Sequence, residues 1–382
     1  MASSAQAAAT EAGAAAETPS EAPSRTRRYV PWLSWVRVVS AIAVVSGHVC
    51  THLVWEWGKV SDREWHFGNL VAATSRFSVP LFVMASGAVL LQSGRAQSLR
   101  TFYGRRASRL AIPLLVWSCF YVWFSRLTTG QELVWTDFSK LLLLGRPYYH
   151  LYFLFVIMGL YLFTPFLRLF IDAAPRKYVV VATALAVGLA FVDKLHRSLT
   201  GLGVDPNAFS YFVPWIGYYL LGYVLLTTPM PANRRRVAWI AAATFVGVML
   251  ANAMGNWVMH IAFGNRYGLM LYHHHLLGPM IMAISAVFFL RAFLGDGGPV
   301  DRSSERPASQ AKRPIGQRLA DLTLGIYLIH PIPVLFVRDY QPRFSSPWSS
   351  IAYHSGAIIA ILAVCSAVVW LLRRIPYARR LV

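Results

Sequence analysis

The sequence predicts an all-α integral membrane protein, a bundle of about ten transmembrane helices with both termini in the cytoplasm. Three observations carry that expectation. Of 382 residues, 56% are hydrophobic and only 14% are charged, against about a quarter charged in a soluble domain. The apolar residues gather in runs of about 17–25, the length that crosses a hydrocarbon core. The basic residues, which give a net charge of +20, sit in the short connectors between those runs.

Residues 1–28 are rich in Ala, Ser, Glu and Pro, bury no core and are expected to form a disordered cytoplasmic tail. They lack the basic stretch, apolar stretch and cleavage site of a secretory signal. The first apolar run is therefore expected to stay in the mature protein. A membrane domain is expected over 29–373, with spans near 30–53, 70–93, 108–126, 148–170, 178–194, 211–228, 237–254, 269–292, 318–338 and 350–372. Each is read as a helix, because a helix satisfies its own backbone polar groups in lipid. The fifth, sixth and seventh are short enough to suggest tilt or irregularity. The connector 293–317, rich in Gly, Pro, Ser, Asp and Arg, reads as a flexible cytoplasmic loop, and 374–382 as a basic cytoplasmic tail.

With the N-terminus inside, the cytoplasmic segments hold 24 of the 36 basic residues and the outer segments ten, while Arg37 and Arg76 lie within spans. That is the positive-inside bias. Charge confined to short connectors also argues against a nucleic-acid partner. Cys50, Cys119 and Cys365 fall inside spans without paired spacing, as packing residues do, not disulfides or metal ligands.

The sharpest chemical signal is in the first span. Arg37 and His48 are eleven residues apart, so they differ by only about 20° in azimuth and by about 16 Å along a helix axis. Ionisable groups in lipid are costly and face a bundle interior or a wet cavity. A snorkelling Arg and a structurally bonded His would fit the same spacing. His52 continues the stripe at the i, i+4 spacing of a zinc pair, but no third ligand accompanies it and no metal is expected.

Arg76, in the second span, is expected at the depth of His48, where a cation would favour a neutral imidazole or stabilise an oxyanion. Reaching to the outer interface is its plainer use. Arg105, Arg106 and Arg109 open the third span. Guanidinium groups suit bidentate phosphate recognition, although topology signalling and anionic lipid explain the cluster as well. In the fourth span His150 is expected near the outer surface at the depth of His48. Tyr148, Tyr149 and Tyr152 beside it fit either an aromatic belt or a substrate platform. Tyr327 and His330 lie in the ninth span, with His330 expected near mid-membrane. His273, His274 and His275 start the eighth span and are expected to be solvated and interfacial.

Taken together these residues resemble the acyltransferase-3 family of multi-span membrane proteins, from about residue 30 to 372. The most specific element is the Arg-x10-His spacing of Arg37 and His48. Supporting it are Arg76-Phe77-Ser78-Val79-Pro80-Leu81-Phe82 with Ser86-Gly87, the Phe102, Arg106, Arg109 and Pro113 block, His150-Leu151-Tyr152-Phe153-Leu154, and Gly325 to His330. Tyr152 stands where the family often has Trp, and Ala88 where it often has Phe; both bear on the acceptor more than on the reaction.

The resemblance implies transfer of an acyl group, usually acetyl from acetyl-CoA, to a hydroxyl of a cell-envelope glycan or glycolipid. It implies a bacterial cytoplasmic membrane location among membrane lipids. Arg37 and His48 would be essential, and the Arg106 region would serve the CoA end. His150, Tyr152, Tyr327 and His330 are expected to bind substrate. His48 would act as general base or as an acyl relay. The alternative class is a transporter or flippase of a lipid-linked sugar or polar metabolite, which would use the same polar residues as a translocation path.

Overall fold

The computed structural model of the chain describes residues 30–92, 98–130, 135–264, 268–296 and 313–382. The tail expected to be disordered, most of the 293–317 connector and the Arg105 side chain lie outside the described residues. All regular elements among the described residues are helices. They are α1 (Pro31–Trp55), α2 (Asp62–Ser75), α3 (Ser78–Leu90), α4 (Leu99–Thr129), α5 (Trp135–Leu143), α6 (Tyr152–Ala173) and α7 (Arg176–Thr200). There follow α8 (Ile216–Thr227), α9 (Arg234–Phe263), α10 (Leu277–Leu294), α11 (Ile315–Ala320), α12 (Thr323–Ile329), α13 (Pro331–Asp339) and α14 (Pro347–Leu372).

Eight segments among the described residues are long and apolar enough to cross a membrane, and nine if the bent α11–α13 segment counts as one span. The remaining apolar segment, Val213–Thr227, is shorter. Of the three spans expected to be short, only this one is. The fifth and seventh lengthen to 25 and 30 residues as α7 and α9, because their polar ends are helical too.

Two prolines break the helices that matter most. Proline has no N–H for the carbonyl four residues earlier. Pro80 thus leaves the Arg76 carbonyl free, and the chain breaks between α2 and α3 at Arg76–Phe77. His274 Nδ1 lies 2.8 Å from that carbonyl and takes the missing donor's place. Pro331 likewise frees the Tyr327 carbonyl, and the ninth segment bends by 52° there. His330 Nδ1 supplies the substitute donor at 2.8 Å.

At the centre, α1 packs against α2, α3, α10, α11, α12 and α14. Its approach to α2 needs Gly47, where a Cβ would lie 2.5 Å from Ser75 Oγ. The α3–α8 contact is closer still. A Cβ on Gly87 would lie 1.9 Å from the Tyr219 carbonyl oxygen, and one on Gly222 would lie 1.9 Å from that of Met84. Small residues let helix backbones approach where burial gives no driving force between helices. Gly222→Ala is therefore expected to cost about 1–3 kcal/mol, read as a lower unfolding midpoint in detergent. Gly188→Ala, whose Cβ would meet nothing within 4 Å, should leave the midpoint unchanged.

Candidate active site

The breaks at Arg76 and His330 open onto one cavity of about 910 Å³. Its lining includes His48, Thr51 and His52 from α1, Arg76 between α2 and α3, Tyr148, Tyr149, His150 and Tyr152 before and at the start of α6, His273 and His274 before α10, and Tyr327 and Arg338 from the bent segment. Six of the expected site residues are thus brought to one place or against it: His48, Arg76, His150, Tyr152 and Tyr327 line it, and His330 packs against His48 and His150. His330 stacks on His48, with ring centroids 5.2 Å apart, and meets His150 edge-on at 5.5 Å. It therefore touches both rings at once.

The donor His330 Nδ1 leaves Nε2 as the lone-pair nitrogen, buried and without a partner. Tyr327 donates its hydroxyl to the His150 carbonyl, and Tyr121 donates to the Leu328 carbonyl at 2.6 Å. The first bond ties the His150 loop to α12, and the second ties α4 to α12. Further out, Arg146 holds the same loop by donating to the Tyr211 hydroxyl at 2.8 Å and pairing with Asp205 at 3.1 Å. The Tyr211 hydroxyl first, then the Asp205 carboxylate, hold the Arg146 guanidinium above its ordinary pKa.

His48 is different from its neighbours. Its ring is half-buried, 5.0 Å from that of Tyr149, and faces the cavity. No hydrogen bond engages either ring nitrogen among the described residues. Beside it, Arg76 donates to Thr51 Oγ1 at 3.4 Å and lies 4.9 Å over the Tyr272 ring. Its Nε is buried without a partner, and no carboxylate pairs with it among the described residues. The site thus offers a free imidazole and an unneutralised cation to whatever enters. Such a pair suits proton transfer next to a developing negative charge.

Arg37 is placed elsewhere. Its side chain is exposed and lies outside the cavity lining. Its charge, with those of Arg106 and Arg109, acts on Tyr161. Arg37 and His48, which helical spacing puts on one face of α1, thus belong to two regions of that helix, because the cavity lining includes His48 and not Arg37. The lining ends towards Arg37 at Val44, Phe82 and Phe153, and the two phenyl rings lie 6.0 Å apart. The Arg37 region is basic and aromatic. Arg106 lies 5.0 Å over Phe102 and 5.8 Å over Tyr161, and Arg168 lies 5.0 Å over the Phe102 ring while donating to the Leu90 carbonyl at 2.7 Å.

His273 and His274 are not solvated, as expected from sequence, but form cavity wall, and His275 packs on Trp215 at 4.4 Å. Arg338 at the mouth and His354 behind His52 were not singled out from sequence. Neither has a local signal, since each is placed by a remote helix. No group of three or more His, Cys, Asp or Glu side chains among the described residues is arranged to hold a metal.

A family model described as an acyltransferase domain matches residues 30–370. No curated protein and no solved structure matches the chain.

Proposed function

The chain belongs to the acyltransferase-3 family, whose model spans nearly all of it, and from that membership we propose that it moves acetyl from acetyl-CoA to a hydroxyl of a cell-envelope glycan or glycolipid in the bacterial cytoplasmic membrane. The observation that carries this reading is His48, which faces a large cavity with neither ring nitrogen hydrogen-bonded among the described residues, beside an Arg76 that no carboxylate among them neutralises.

The acceptor hydroxyl enters the cavity and gives its proton to His48 as its oxygen attacks the thioester carbonyl. Arg76 stabilises the tetrahedral oxyanion. When the C–S bond breaks, the thiolate leaves and takes the proton back from His48, so the imidazole is regenerated. Direct transfer is preferred over an acyl-imidazole because it needs no second carrier. His150, Tyr152, Tyr327 and His330 shape the acceptor side.

Arg37, Arg106 and Arg109, with Arg105 on the same helix, would receive the phosphates of the CoA nucleotide, which places their end of the bundle in the cytoplasm with both termini. The pantetheine arm would then pass between Val44, Phe82 and Phe153, whose side chains must part to admit it.

The reading is tested with purified protein in nanodiscs, labelled acetyl-CoA and candidate glycans. Acceptor-dependent release of CoA supports it. Movement of an unmodified lipid-linked sugar without CoA consumption would replace it with the transporter reading. Arg106→Ala is expected to raise KM for acetyl-CoA about tenfold or more, the worth of a charge-assisted phosphate contact, with KM for the acceptor unchanged. If protein amount alone falls, Arg106 is a topology signal.

A further inference from the structure

Most aromatic rings that line the cavity have their faces covered. Tyr272 lies under the Arg76 guanidinium, Tyr327 is buried and bonded to the His150 carbonyl, and Phe82 and Phe153 pack on each other at 6.0 Å. Tyr148 is stacked on Tyr121 at 4.5 Å. Among the described residues two lining aromatics are exposed, Tyr149 at 50% and Trp55 at 61%.

Tyr149 is a fixed platform. Its ring lies 5.0 Å from that of His48 and is backed at 4.9 Å by Tyr148. Tyr148 rests in turn on Tyr121, whose hydroxyl bond to the Leu328 carbonyl holds it on α12. A ring held in this way loses little freedom when another molecule stacks on it.

Trp55 is the last residue of α1, seven residues beyond His48. Seven residues advance a helix by about 10 Å and return it to within about 20° of the same azimuth. His48 and Trp55 therefore stand on one stripe of α1, and Thr51 and His52 line the same cavity between them. That separation is wider than a single pyranose ring. The volume of about 910 Å³ lies near the upper end of the roughly 300–1,000 Å³ of sites that enclose drug-sized ligands, more space than one sugar fills.

A pyranose carries C–H groups on its faces and hydroxyls around its edge. The C–H groups are slightly positive and meet the negative face of an aromatic ring, which leaves the hydroxyls to polar neighbours. A Trp at a helix end also serves as an interfacial anchor. An anchor faces lipid, however, and Trp55 lines the cavity on the His48 side of its helix.

We propose that the cavity holds a chain of sugars, with the ring to be acylated lying on Tyr149 beside His48 and a later ring of the same chain stacking on Trp55. A single sugar would engage the first platform alone. The proposal rests on the reading of this cavity as the acceptor site, but its test measures binding. Length-dependent binding without acyl transfer would fault the reaction, and acyl transfer without length-dependent binding would fault the two platforms.

Full-length protein in nanodiscs would be titrated with cello-oligosaccharides and chito-oligosaccharides, from the monosaccharide to the pentasaccharide. In at least one series the trisaccharide and longer members should bind about tenfold more tightly than the monosaccharide, the worth of one added aromatic contact. Trp55→Ala should remove that gain while the monosaccharide binds as before. Trp55→Phe should keep most of it, and Tyr149→Ala should weaken every length alike. Affinity that does not rise with length, a gain that survives Trp55→Ala, a loss in Trp55→Ala shared by the monosaccharide, or no binding in either series would overturn the proposal. The length series on the unchanged protein tests it even where a variant folds poorly.

Discussion

Replacing His48 with alanine is expected to lower kcat for acyl transfer by about 10²–10⁴-fold, the usual contribution of a positioned general base, with little change in the unfolding midpoint. The imidazole makes ring contacts with Tyr149 and His330 but bonds nothing through its nitrogens among the described residues. The fold therefore loses a few dispersion contacts, and the reaction loses its proton acceptor. Labelled acetyl transfer and a thermal scan of the same preparation check both halves. Free imidazole added to the alanine variant should restore part of the rate, because the truncation leaves room beside an already large cavity. Normal turnover by the variant would remove His48 from the mechanism. An acetyl group trapped on His48 in the absence of acceptor would replace the base with the relay.

The second large effect is expected at Arg76. Arg76→Gln should lower kcat by about 10²–10³-fold, as loss of an oxyanion donor does, while KM for acetyl-CoA stays nearly constant. Its effect on stability should run the other way. Among the described residues Arg76 is a cation without a carboxylate partner and with a buried Nε that bonds nothing. An uncompensated buried charge opposes folding, so its removal should hold or raise the unfolding midpoint. Lower activity together with equal or greater stability marks a group kept for its chemistry. A variant that unfolds more easily yet transfers acetyl at the usual rate would make Arg76 a packing residue of the α2–α3 break.

Much of the site was legible one helix at a time. His48 stood out because an imidazole in an apolar run needs a reason, and Arg76 because a guanidinium does. Both prolines were visible, yet the sequence did not say that Pro80 and Pro331 would free carbonyls for His274 and His330. The first of these bonds joins residues 198 apart in the chain, and helical periodicity carries no information about which helix lies alongside. The same limit explains Arg37. Azimuth placed it under His48, but its surroundings depend on α4 and α6, which bring Arg106, Arg109 and Tyr161 to it.

Hydropathy alone determined that the chain is helical and lies in a membrane, since apolar runs of bilayer length leave the backbone no other way to satisfy its polar groups. Spacing within single helices determined which side chains were candidates for chemistry. Only the packing of α1 against the two broken helices and α14 decided which candidates share a cavity, which are tied to carbonyls, and that His354 lies behind His52. Such contacts are fixed by glycine-permitted approaches and proline-freed acceptors between distant segments, and those exist only once the bundle has closed.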